Sequence, residues 1–123
     1  MDFNRDGNLD LIMAKSEDPP RLFQNNTPTR GWLDVRLEDA GTPGNSNGIG
    51  ARVEVTVKAG EEPVVAEIST GGSYESQKLP EMHVGLGKQK SVANIDVYWP
   101  GETKAQQLSD VKGNQVITIK REP

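Results

Sequence analysis

The sequence predicts an all-β protein: an antiparallel β-sandwich of about seven to nine strands, preceded by a short β-hairpin. Three observations predict it. Residues 51–58 alternate strictly, with Ala51, Val53, Val55 and Val57 on one side and Arg52, Glu54, Thr56 and Lys58 on the other. Such alternation marks a strand with one buried face, and that face needs a second sheet to cover it. Residues 92–99 repeat the pattern, with Ala93, Ile95, Val97 and Trp99 inward and Asn94, Asp96 and Tyr98 outward. Turn residues recur about every ten positions, and no segment of useful length carries a helical period.

Composition bounds the function. A chain of 123 residues, 33% of them hydrophobic, makes one domain with a single lean core, which suits a sandwich whose alternate residues face water. The net charge of −4 and the lack of a basic patch argue against nucleic acid or an anionic membrane as partner. With no cysteine, disulfides and thiolate metal sites are excluded. No apolar run approaches the roughly 18 residues of a membrane-spanning helix, so no membrane insertion is expected.

The chain opens with Asp2-Phe3-Asn4-Arg5-Asp6-Gly7-Asn8-Leu9-Asp10, oxygen-bearing side chains at alternate positions around a glycine turn. Hard oxygen ligands at this density suit a hard cation. An EF-hand is excluded, because loop position 12 would be Met13 rather than a bidentate Glu, and Leu9 to Ala14 reads as a strand. Asp18-Pro19-Pro20 interrupts the chain, and Arg21 to Asn26 is a second strand able to pair with residues 9–14 as a hairpin. Asn25-Asn26-Thr27 matches a glycosylation sequon, a pattern too common to carry an argument.

From Trp32 to Glu38 alternation returns, Leu33, Val35 and Leu37 facing one way and Asp34, Arg36 and Glu38 the other. The stretch 39–47, rich in Gly, Pro, Asn and Ser, is a surface loop. Pro63 to Thr70 forms a hairpin with residues 51–58, placing Val64, Ala66 and Ile68 on one face. Gly71-Gly72-Ser73-Tyr74-Glu75-Ser76-Gln77 is irregular, with glycines suited to a bulge or a close approach. Met82 to Leu86, Ala105 to Leu108 and Gln115 to Lys120 complete the strands, Ile117 and Ile119 pointing inward.

The opening pattern D-x-N-x-D-G-x-x-D, followed by a strand, resembles the FG-GAP/VCBS repeats of β-propellers. That resemblance implies calcium held by Asp2, Asn4, Asp6 and Asp10 with the Asn8 carbonyl between them, and makes residues 1–30 part of such a repeat. It also implies a chain that begins within a longer protein, its loop at a fraying terminus where calcium is weak or absent. Gly48-Ile49-Gly50-Ala51, the 71–77 stretch, His83-Val84-Gly85-Leu86-Gly87 and Val97-Tyr98-Trp99-Pro100-Gly101 together resemble the ASPIC/UnbV domain over residues 31–123. Two positions depart from its pattern: Trp99-Pro100-Gly101 lacks a residue before the glycine, and Ala66-Glu67 stands where an arginine is usual. The resemblance implies a non-catalytic extracellular interaction or adhesion module, secreted, periplasmic or on the cell surface, monomeric, with an extracellular protein or glycan as partner.

Other chemistry is thinly supported. His83 is the sole histidine, Ser76 lies near it in sequence, and no G-x-S-x-G elbow surrounds any serine, so no catalytic residue is assigned. Gly48-Ile49-Gly50 opens a strand rather than a helix, and Gly87-Lys88 is followed by Gln89 rather than Ser or Thr, which excludes dinucleotide and phosphate loops. Trp32, Tyr74 and Tyr98, read as outward or in a loop, form a possible ligand surface, the alternative being a carbohydrate-binding module; the competing reading has Trp32 covering a sheet edge or the hairpin.

Overall fold

A computed structural model describes residues 1–72, Tyr74 and 76–122. Ser73 and Glu75 of the glycine-rich motif, and the terminal Pro123, lie outside the described residues. The described residues form nine strands: β1 (Leu11–Met13), β2 (Arg21–Phe23), β3 (Gly31–Glu38), β4 (Arg52–Thr56), β5 (Val64–Glu67), β6 (Glu81–Gly87), β7 (Ser91–Tyr98), β8 (Gln106–Lys112) and β9 (Gln115–Lys120). No helix long and apolar enough to cross a membrane occurs among the described residues.

The strands form a β1-β2 hairpin, a three-stranded sheet ordered β6-β3-β9 and a four-stranded sheet ordered β5-β4-β7-β8. The two larger sheets make the sandwich. Alternation decides which side chains meet between them: Leu33, Val35 and Leu37 of β3, Val84 and Leu86 of β6 and Ile119 of β9 face Val53 and Val55 of β4 and Ile95 and Val97 of β7. All are buried, and Trp99 closes the layer at one end with its indole N–H donating to Gln106 Oε1 at 2.8 Å.

The structure departs from the expected arrangement in three places. The expected sheets were antiparallel throughout, but β9 runs parallel to β3, Val35 opposite Ile117. The β8–β9 connection explains it: the chain crosses from one sheet to the other at Gly113 and so enters the second sheet beside β3. Next, Ala93 was expected inward, whereas Val92 is the buried residue. The side-chain parity of β7 switches between Val92 and Ile95, opposite Asp110 of β8, whose φ of 54° is left-handed. Val111 and Leu108 flank that kink and both pack on the core. Last, the short strand expected at 105–108 extends to Lys112.

β5 is an edge strand, bonded only to β4, and this explains why Val64 and Val65 stay exposed while Ile68, just beyond it, is buried. Ile68 is fixed by its N–H to the Ala51 carbonyl at 2.9 Å, next to the bond from Gly50 N to the Ile68 carbonyl at 2.9 Å.

Candidate functional site

The N-terminal loop is organised by its own oxygens. Asp6 N donates to Asp2 Oδ1 at 3.1 Å and to Asn4 Oδ1 at 3.2 Å, and Gly7 N donates to Asp2 Oδ2 at 2.8 Å. Asn8 N donates to Asp6 Oδ1, and Asn4 Nδ2 to Asp6 Oδ2, both at 2.8 Å. The Asn8 amide N–H, followed by the Asn4 side chain, holds the Asp6 carboxyl below its ordinary range. Two carboxylates and an amide oxygen therefore gather around one turn. Each oxygen that accepts one N–H retains a lone pair, so the donor chemistry fits a hard cation.

Asp10 lies at the foot of the loop. It is buried, and its two oxygens accept from Asn25 N at 2.8 Å and Phe3 N at 3.0 Å, bracing the base of the hairpin. Asn8 ties the other side, its amide donating to the Thr27 carbonyl at 3.0 Å. These bonds close the loop and hold it to the linker that leads into β3. Among the described residues, no three Asp, Glu or His side chains are grouped to hold a metal.

Trp32 does point away from the sandwich core, as its place in β3 requires, but it is 8% exposed. Its cover is Gly7: a β-carbon at that position would lie 2.1 Å from the indole Cδ1, and the Gly7 φ is +89°. Only glycine satisfies both the backbone and the contact. On the same outer face, Trp32 stacks on the His83 ring at 6.3 Å between centroids and 13° between planes. His83 Nδ1 is 2.6 Å from Oδ1 of the buried Asp34, directly across the β3–β6 pair. Beside them Arg36 pairs with Glu81 at 2.7 Å.

The three aromatic positions expected to form a ligand surface are not brought together. Trp32 lies beneath Gly7 on the outer face of the β6-β3-β9 sheet. Tyr98 lies on the outer face of the other sheet, with the Arg52 guanidinium over its ring at 4.3 Å. Tyr74 is 87% exposed and stands by a groove of about 1040 Å³ between β1 and residues 76–79.

Sequence reasoning missed one cluster. Asp39 is 1% exposed and accepts from Gly41 N, Thr42 N and Thr42 Oγ1 at 2.9, 3.1 and 2.7 Å. Arg121 Nη1 adds a bond to Asp39 Oδ2 at 2.8 Å, while Nη2 donates to Glu102 and the guanidinium lies 5.7 Å from the Trp99 ring. The Thr42 hydroxyl, then Arg121, lowers the Asp39 carboxyl to about 2. Asp three residues before Thr at the start of a loop is a local signal for such a turn; that Arg121 closes it is a nonlocal fact.

The family described as ASPIC and UnbV matches residues 41–123. The chain belongs to the ASPIC/UnbV family. It is similar to cartilage acidic protein 1 of Homo sapiens, 31% identical over 127 aligned residues, and to that of Mus musculus, 30% identical; each alignment covers 96% of this chain. The chain spans 18% of the length of these curated relatives. No solved structure matches it.

The ASPIC/UnbV signature residues are mostly architectural. A β-carbon on Gly48, whose φ is +61°, would lie 3.0 Å from both Leu37 and Trp99. Val84 and Leu86 fill the core, and Trp99 caps it. The family match begins at residue 41, yet β3 (Gly31–Glu38) is the middle strand of its sheet, so the fold reaches upstream of the match.

Proposed function

We propose that the chain is a non-catalytic extracellular interaction and adhesion module whose first thirty or so residues end an FG-GAP/VCBS-type propeller repeat with a weak calcium site. The observation that carries the calcium reading is the gathering of the Asp2 and Asn4 oxygens on the Asp6 and Gly7 amides, with the Asp6 carboxylate held beside them by the Asn8 amide and the Asn4 side chain. Calcium bound there draws on Asp2, Asn4, Asp6 and Asp10, with the Asn8 carbonyl between them, and Asp10 also braces the loop. Weak here means a Kd of about 10⁻⁴ to 10⁻³ M, the range of extracellular calcium modules. Calorimetric titration tests it: heats fitting that range support the site, and micromolar binding contradicts the weak-site reading.

The absence of a reaction is supported by the surroundings of His83. Its Nδ1 faces Asp34 and its ring stacks on Trp32, which gives the imidazole two structural partners. A protein partner is favoured over a glycan because sugar sites on sandwiches need exposed aromatic faces, and two of the three candidates are covered, Trp32 by Gly7 and Tyr98 by Arg52. The exposed Tyr74 keeps the carbohydrate-binding reading open to one test. On a glycan array, specific binding lost in Tyr74→Ala would establish it, and silence across glycans would favour a protein. A secreted, periplasmic or cell-surface location follows from the family reading, and two relatives carry cartilage in their names.

A further inference from the structure

The N-terminal unit and the sandwich meet at one unusually close contact. Gly7 lies against the Trp32 indole so tightly that a β-carbon would be 2.1, 2.3 and 2.7 Å from Cδ1, Nε1 and Cγ. Trp32 is itself held from behind. Its carbonyl accepts from Asn114 N at 2.6 Å and its N–H donates to Asn114 Oδ1 at 3.3 Å, tying it to the β8–β9 turn. Its ring rests on His83, which is locked to Asp34. The hairpin beyond the loop contributes no such anchor, since Leu11, Ile12, Met13, Leu22 and Phe23 are all 40% exposed or more. The 25–29 linker bonds to the loop itself, through Asp10 and Asn8.

We infer that Trp32 is a positioning residue: its indole is the seat on which Gly7 sets the oxygen-rich loop, and this contact joins the N-terminal unit to the sandwich. Gly7 N is also a donor to Asp2 Oδ2, so the residue on the indole is one that shapes the oxygen cluster. A cation in the loop is therefore coupled to the sandwich through Gly7; that part rests on the calcium reading above. Coupling of this kind is reciprocal, so whatever lifts Gly7 from Trp32 weakens the cation, and the cation tightens the seat.

The full chain carries two tryptophans, Trp32 and the core residue Trp99, which makes the test internal. Both are shielded, so acrylamide should quench little emission in the parent chain. In Gly7→Ala the loop must lift, and about half of the tryptophan emission should become quenchable, as expected if one of two equal emitters opens, while Trp99 stays shielded and reports an intact sandwich. Unchanged quenching in Gly7→Ala overturns the assignment. Quenching of both tryptophans also overturns it, since the contact would then hold the sandwich rather than join the loop to it.

Terbium tests the coupled part separately. Terbium in the loop should luminesce on tryptophan excitation; Trp32→Phe should lose most of that signal while calorimetry still shows binding, and Gly7→Ala should bind at least several-fold more weakly. Sensitised signal that persists in Trp32→Phe, or equal affinity in Gly7→Ala, contradicts Trp32 as the seat. No heat of binding at millimolar terbium removes the cation reading, and the quenching result then decides the joint by itself.

Discussion

In the sandwich, Leu33, Val35, Val53, Val55, Ile95 and Val97 are wholly buried between two sheets, whereas in the hairpin every residue of β1 and β2 is exposed. A fully buried aliphatic side chain is worth about 1.5–3 kcal/mol relative to an exposed one, and the sandwich has many. The hairpin has three bridged pairs and no buried face; alone in water such a unit is marginal. Its order comes from the polar network of the loop, from Asp10 at its base and from the seat on Trp32. One chain thus contains a region held by apolar burial, insensitive to salt and to single surface changes, and a region held by carboxylates and backbone N–H groups. The second kind responds to ions and to pH, and it is where the proposed calcium chemistry lies.

The largest expected break in this contrast is in the core. Ile95→Ala removes a fully buried side chain of β7 and should cost about 2–5 kcal/mol. Urea unfolding followed by tryptophan emission measures it, and a loss below about 1 kcal/mol would mean that the sheets do not close on Ile95.

The Asp39 cluster is a polar exception inside the apolar region, and acid should find it. Its folded carboxyl lies at about 2, below the ordinary 3.8, because Thr42 and Arg121 favour the charged form. A depressed value means that its contribution is complete above 3.8 and drains as the pH falls toward about 2. Melting temperature across that window should fall more steeply for the parent chain than for Asp39→Asn, which is less stable at neutral pH and has no such titration. Parallel curves would remove the Asp39–Arg121 clamp from the account.

The smallest effect belongs to the hairpin. Ile12→Ser, on an exposed strand, should change stability by no more than about 0.5 kcal/mol. A larger loss in the isolated full chain would show that β1 buries a face that the structure leaves open.

Much of the sandwich was legible because its code is local. Odd-numbered residues from Ala51 to Val57 and from Leu33 to Leu37 declare an inner face by alternation alone, and both sets lie in or beside the core. What escaped was nonlocal or conformational. The choice of β3 as the parallel neighbour of β9 depends on where the chain crosses between sheets. The parity switch from Val92 to Ile95 depends on a left-handed Asp110 on another strand. Trp32 was correctly placed on the outer face, yet its cover is a glycine twenty-five positions upstream in a turn, and a turn glycine gives no sign of which side chain it will touch. Likewise Tyr98 alternates outward as expected, but the Arg52 stack on its ring is set by the β4–β7 register.

Native-state amide hydrogen exchange on the full chain separates the two regions most directly. The account predicts that the amides of Val53, Val55, Ile95 and Val97 exchange only through global unfolding, while those of Leu11 to Met13 and Arg21 to Phe23 exchange through local opening at a much lower free energy. Equal protection in the hairpin and in β4 and β7 would contradict it.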